Sequence, residues 1–244
     1  MRADDFASSS NDELHLIQTF EDTTLPMSER VQALNTLLKT ERVDVLYMLK
    51  QAFDDTATPN EQRCMLALAL GQWGSDAAVD SLNAVFVERL ESDSFTREEK
   101  ALLLACVEGL AHTKHPIAQD AVFRCLNHPD NDVFSVASEN IRQFGVEAIP
   151  ELCLVLMQGP SDARCVAAWQ LGELKAKNAL APLMESLNDT NDENLQALCL
   201  WALGRIGEGT HEVLMAVKAK GQSINPTVSQ RAKEVFIKLS SLNN

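Results

Sequence analysis

The stretch Ala167-Ala168-Trp169-Gln170-Leu171-Gly172-Glu173-Leu174 returns, with changes, as Leu200-Trp201-Ala202-Leu203-Gly204-Arg205-Ile206-Gly207. A third version is Ala67-Leu68-Ala69-Leu70-Gly71-Gln72-Trp73-Gly74, and a weaker one is Cys106-Val107-Glu108-Gly109-Leu110-Ala111. In Ser138-Glu139-Asn140-Ile141-Arg142-Gln143-Phe144-Gly145, Arg142 stands where the others have glycine. The glycine column therefore falls at 71, 109, 142, 172 and 204, with spacings of 38, 33, 30 and 32. Cys64 and Cys165 both lie seven residues before it, and Trp169 and Trp201 both lie three before it. Self-similarity at a period of thirty-odd residues marks stacked supersecondary units, each too small to bury its apolar face alone.

Each copy opens on polar residues suited to a helix start, such as Asp130-Asn131-Asp132, Ser161-Asp162 and Asn191-Asp192-Glu193. An Ala/Leu-rich helix follows, and the column glycine is expected to break it. A second helix then carries apolar residues three and four apart, as in Val79, Leu82, Val85 and Phe86, or Leu180, Leu183, Met184 and Leu187. Pro116, Pro150 and Pro182 fall near second-helix starts, where a missing N–H costs little. No stretch sustains a strand's period of two. The pattern predicts an all-α fold, an α-solenoid of about six helix pairs with helical caps at both ends. The expected layout is a disordered tail over 1–10 and a single solenoid over 11–244. Within it lie a helix over 11–20, pairs over 28–53, 59–91, 96–128, 131–158, 161–189 and 192–220, and a last helix over about 227–241.

The run A-x-x-L-G-x-[IL]-G, followed by an A-x-x-x-L helix, resembles the short bacterial HEAT repeats typified by phycobilisome-lyase-like proteins. The resemblance is clearest at 161–189 and 192–220, good at 59–91, and covers roughly 28–220. It implies a curved scaffold whose second helices line the concave face, here through Asp80, Asn83, Glu88, Gln119, Glu151, Glu185 and Asn188. The function it implies is a non-enzymatic protein-interaction scaffold, adaptor or assembly factor. It also admits a bilin lyase or isomerase subunit, or a tetrapyrrole-handling chaperone. A DNA-glycosylase-like HEAT protein would need a basic concave face.

Charge bears on these readings. The 244 residues include 35 acidic and 21 basic side chains, a net charge of −14. Residues 213–244 reverse this, with 5 basic residues and 1 acidic. Nucleic-acid binding needs a basic footprint and favours stacking aromatics, yet aromatics make up only 5% of the chain. The expected partner is another protein offering a basic or amphipathic segment, steered by the acidic surface over the ~8 Å that salt allows. Apolar runs such as Ala101 to Val107 are far short of the ~18 residues a membrane span needs. The start of the chain is acidic where a signal peptide is basic. These features predict a cytoplasmic protein bound neither to nucleic acid nor to membrane, its oligomeric state open. The six scattered cysteines, with no CxxC pair, read as small buried hydrophobes.

The chemistry-bearing residues do not assemble into a catalytic set. His112 and His115 supply two ligands where zinc requires three or four. His211-Glu212 resembles one of the His-Glu pairs that HEAT-type deoxyhypusine hydroxylases use for iron, but those enzymes need several. Gly204, Gly207 and Gly209 follow a helix, whereas a dinucleotide fingerprint follows a strand. No catalytic residue, cofactor or metal is therefore expected. Trp169 and Trp201 should stand side by side on adjacent first helices, at roughly the 10 Å of helix packing. Two readings of them stand: packing between repeats, or an aromatic anchor for a partner. Trp73 is expected to staple an interhelix turn.

Overall fold

The computed structural model describes residues 11–40, 42–92 and 94–242, and among them it is all-α. The expected tail at 1–10 lies outside the described residues. The chain divides into two compact units, one ending at Ala121 and the other beginning at Val122.

The first unit holds α1 (Asn11–Glu21), the pair α2 (Met27–Leu38) and α3 (Val43–Asp54), the pair α4 (Asn60–Trp73) and α5 (Asp76–Leu90), and α6 (Arg97–Thr113). The boundary falls within α7 (Pro116–Cys125). First helices pack in a row, α2 on α4 and α4 on α6, while α3 packs on α5 in a second layer. Between the layers lie Phe53, Leu66, Leu70, Phe86, Leu102, Leu103 and Leu110, all fully or almost fully buried.

The second unit repeats the plan with α8 (Asn131–Asn140), α9 (Ile149–Gln158), α10 (Ser161–Glu173), α11 (Leu180–Asp189), α12 (Glu193–Ile206), α13 (His211–Lys220) and α14 (Pro226–Leu242). Here α10, α12 and α14 form one layer and α9, α11 and α13 the other. The last helix, α14, takes a first-helix place beside α12. Each unit is thus an α-solenoid of stacked helix pairs.

Local chemistry accounts for the helix limits. Asp130 and Asp192 accept the backbone N–H groups of Asp132 and Val133, and of Asn194 and Leu195. Thr96 and Glu99 form a reciprocal capping box at the start of α6. Before α4 and α10 the cap position holds Pro59 and Pro160, which offer no side-chain bond, so Ser161 lies inside its helix instead of capping it.

The column glycines do not end their helices. Gly71, Gly109, Gly172 and Gly204 all lie inside the last turns of α4, α6, α10 and α12. Their role is close approach: a Cβ on Gly71 would stand 2.3 Å from the Gly109 carbonyl oxygen, and one on Gly109 would stand 2.5 Å from the Ala67 carbonyl oxygen. Two of them, α4 and α12, are closed three residues further on by Gly74 and Gly207, which are left-handed at φ 65° and 78°. Where Arg142 replaces the glycine, α8 stops early and residues Ile141–Ala148 run as a 3-10 segment kinked at Gly145.

Candidate functional site

Both units contain a recurring arginine eight residues before the glycine column. Arg63 on α4 is 4% exposed and donates from Nε to the Phe53 carbonyl, 2.8 Å away, near the end of α3. Arg30 on α2 does the same to Phe20 at the end of α1, at 3.1 Å. Arg164 on α10 donates to Leu156 on α9 at 2.8 Å, and its guanidinium also reaches the Ser186 hydroxyl at 3.0 Å. At the same place in the next repeat, Gln196 donates to the Thr190 carbonyl at 2.7 Å. Each cation meets the negative end of the preceding helix, where its charge and its donor both stabilise. Arg30 and Arg63 are buried and Arg164 is half-buried, and each ties its helix to the end of the one before it.

The second-helix residues expected to meet a partner divide by exposure. In the first unit, Asp80 and Glu88 are exposed on α5, and Asn83 is half-buried. With Asp76 and Ala84 they form an exposed stripe at four-residue intervals, one face of a helix clear of its neighbours. Gln119, on α7, is half-buried. In the second unit, Glu185 and Asn188 are exposed on α11 and Glu151 is half-buried on α9. The flanking helices expose Leu154 and Met215, at 52% and 53%.

Trp169 and Trp201 lie on the opposite layer, on α10 and α12. They share one open groove of about 470 Å³, also lined by Asn194, Ala197, Leu198 and Arg231. Trp201 is half-buried, its ring seated against Gly172 so closely that a Cβ there would stand 2.5 Å from ring carbon Cζ3. The Arg205 guanidinium lies 5.7 Å from the centre of the Trp201 ring. Trp169 is 43% exposed. One tryptophan therefore packs between repeats and the other faces solvent. Trp73 meets the Tyr47 ring edge to face at 5.6 Å, tying the end of α4 to α3.

Sequence reasoning missed a groove in the first unit. About 420 Å³ opens along α4 and α6, lined by Met27, Cys64, Met65, Leu68, Ala101 and Ala105, with Glu61 and Glu98 at its rim. Leu68 occupies the tryptophan column, and the small Ala101 and Ala105 opposite it were the available signal.

The titratable groups have local duties. The His115 and His128 Nδ1 atoms accept the backbone N–H groups of Ile117 and Asp130, and His112 Nδ1 bonds the Glu108 carbonyl. Thr210 caps α13, and bonds from its own backbone N–H and from Thr210 hold Glu212 below the usual carboxylate range, so His211-Glu212 is a helix start. Among the described residues no three His, Cys, Asp or Glu side chains are placed to hold a metal. Burial pushes the Cys64 thiol up to about 11 and those of Cys125 and Cys199 to about 12, and raises Cys106 further still. Cys153 and Cys165 are raised as well, again chiefly by burial, so no thiol is primed as a nucleophile at neutral pH. Cys106, Cys125 and Cys199 are fully buried as expected, whereas Cys64, Cys153 and Cys165 are only half-buried.

Two layers of helix pairs with exposed outer faces define a repeat scaffold. Residues 149–233 match the family model for HEAT repeats. Among solved structures, the chain resembles the complex of CpcE and CpcF of phycocyanin lyase from Nostoc sp. PCC7120, at 23% identity and a TM-score of 0.44, over 96% of this chain and 95% of that one. It resembles human deoxyhypusine hydroxylase at 18% identity and a TM-score of 0.41, over 94% and 97% of the two chains. It also resembles a designed armadillo repeat protein in complex with the peptide (KR)4, at 17% identity and a TM-score of 0.42, over 94% and 100%. No curated protein matches the chain. Among the described residues no helix is long and apolar enough to cross a membrane.

Proposed function

We propose that this protein is a non-enzymatic interaction scaffold, an adaptor or assembly factor of the cytoplasm. It holds a basic or amphipathic segment of another protein on its acidic second-helix faces. The observation that carries this reading is the stripe Asp76, Asp80, Ala84 and Glu88, which α5 presents to solvent with no neighbouring helix over it. On α11, Glu185 and Asn188 offer similar chemistry, with the exposed Leu154 and Met215 on the helices to either side. Carboxylates bordered by apolar side chains suit a segment with cations on one side and aliphatic residues on the other. Asn83, Gln119 and Glu151, each half-buried, would set the edges of such contacts. The reading uses no catalytic residue, metal or cofactor.

The test is affinity capture from native lysate with the wild type and with Asp80→Lys/Glu88→Lys and Glu151→Lys/Glu185→Lys variants. Asp80, Glu88 and Glu185 are exposed, where substitutions change stability by about 0.5 kcal/mol or less, and Glu151 is half-buried, so the melting temperature of each variant is measured beside its capture. A protein captured by the wild type, released by raised salt and lost from one or both variants supports the proposal. Equal capture by all three forms, or capture no greater than by bare resin, refutes it.

A further inference from the structure

The groove that holds the two tryptophans carries the opposite charge to the rest of the molecule. Beyond Trp201 it continues as a smaller recess of about 170 Å³, lined by Trp201, Gly204, Arg205, Arg231, Val235 and Lys238 together with Glu234. Trp201 and Arg231 line both parts, so the two form one surface along α10, α12 and α14. Its floor is apolar: the two indole rings, Ala197, Leu198 and Val235.

The cations around this floor are not equally engaged. Arg205 pairs with Glu173 at 3.3 Å and covers the Trp201 ring. Glu234, the acid in the lining, accepts a hydrogen bond from Gln230. Arg231 and Lys238 make no ion pair among the described residues. In a chain of net charge −14, two uncompensated cations beside a pair of tryptophans are a local reversal of sign. The corresponding groove of the first unit has Leu68 in place of the tryptophans, and its lining holds two acids, Glu61 and Glu98, with one cation, Arg97. The tryptophans and the excess of cations over acids therefore distinguish the second unit's groove from the first unit's.

We infer that this groove docks an acidic, amphipathic segment of a partner protein. An apolar side chain of that segment lies against Trp169 and Trp201, and its carboxylates reach Arg231 and Lys238. This deepens the scaffold reading and uses a different face from the acidic one. Charge complementarity selects the occupant, and Trp and Arg are the side chains that most often anchor such contacts. The geometry also sets a spacing. Arg231 and Lys238 are seven residues apart on one helix, about 10 Å at ~1.5 Å per residue. The matching carboxylates are therefore seven apart in a helical segment, or three apart in an extended one.

The probe is a fluorescein-labelled twelve-residue peptide with glutamates seven apart and Leu and Phe between them, beside an otherwise identical peptide with lysines in their place. Both are titrated against the full chain by fluorescence anisotropy. The acidic peptide should bind at least tenfold more tightly than the basic one. Arg231→Gln/Lys238→Gln should weaken it about tenfold, and weaken its salt dependence. Trp169→Ala should also weaken it about tenfold, and because Trp169 is exposed the variant keeps the packing of Trp201 on Gly172. Asp80→Lys/Glu88→Lys and Glu151→Lys/Glu185→Lys should leave acidic-peptide binding unchanged, so failure here and failure of the acidic-face reading are told apart. Equal affinity for the two peptides overturns the inference, as does wild-type affinity in the Arg231→Gln/Lys238→Gln variant. Sedimentation velocity supplies the last arm: self-association abolished by Arg231→Gln/Lys238→Gln would make the occupant a second copy of this chain and also overturn it.

Discussion

Replacing Gly71 by alanine sets two effects of opposite sign against each other. Gly71 lies in the interior of α4, where alanine is intrinsically better than glycine by about 1 kcal/mol. The new Cβ, however, would stand 2.3 Å from the Gly109 carbonyl oxygen, 2.6 Å from its Cα and 2.8 Å from its carbonyl carbon. All three atoms are backbone of α6, so no side-chain rotation relieves the clash. Ordinary contact requires the two helices to part by roughly 1 Å, and a gap of that size forfeits a quarter to a half of each dispersion contact across it. Leu66, Leu70, Leu102 and Leu103, all fully or almost fully buried in this layer, are the residues affected. Overpacking of this kind costs up to about 3 kcal/mol. Net of the helix-propensity gain, Gly71→Ala should destabilise by about 2 kcal/mol, lowering Tm by roughly 4–8 °C.

The same change at other places in the column should have graded effects. Gly172→Ala meets the movable Trp201 ring at 2.5 Å but also the Ala202 Cα at 2.9 Å, so it should fall between the extremes and shift the indole emission. Gly204→Ala meets only the Val235 side chain, at 3.1 Å, and should be neutral or stabilising by up to ~1 kcal/mol. Urea and thermal unfolding followed by circular dichroism give the order, with separate midpoints fitted if the two units melt apart. A Gly71→Ala protein as stable as the wild type, or more so, would refute close approach as the reason for glycine at this position.

Three further outcomes can be checked. Arg63→Met keeps the aliphatic stem but leaves the Phe53 carbonyl at the end of α3 without its donor, and it should cost about 2 kcal/mol in urea unfolding, the usual range for a charged hydrogen bond. The thiols of Cys125 and Cys199 ionise near 9 when unfolded and near 12 when folded, so the unfolded chain binds fewer protons above pH 9. Stability should therefore fall progressively from about pH 9 towards 12, and iodoacetamide at pH 8 should leave Cys106, Cys125 and Cys199 unmodified in the native protein, as peptide mass mapping would show. Asp192 is held below its ordinary value of 3.8 first by the Ser161 hydroxyl and then by the N–H groups of α12, so its contribution is present above about pH 4 and lost as the folded carboxylate is protonated. Asp192→Ala should cost about 1 kcal/mol at pH 7, while Asp192→Asn should keep most of the cap and flatten the acid limb of the stability curve.

The repeat was legible because its signals are local. Proline, capping aspartate and, in the copies that have it, the second glycine act within one turn of chain, so the expected limits of 161–189 and 192–220 differ little from those of α10 to α13. What spacing alone hid were contacts between neighbouring copies. The arginine eight residues before the column reads as a solvent position in an Ala/Leu-rich helix, yet Arg63 is buried because the end of the preceding helix supplies the carbonyl it needs. The column glycine reads as a breaker, yet its missing side chain serves the adjacent helix. The same logic explains why two tryptophans at one repeat position behave differently. Trp201 follows a copy whose column residue is Gly172, and its ring fills the notch that glycine leaves. Trp169 follows the copy in which that residue is Arg142, which offers no notch, and its ring is the more exposed of the two. The exposed tryptophan thus coincides with one departure from the repeat, in the copy just upstream. A chain with glycine in place of Arg142 would be expected to draw Trp169 inward and to lose part of the groove it shares with Trp201. Arg142→Gly should therefore blue-shift the tryptophan emission, and an unchanged spectrum would break the link between the column and the groove.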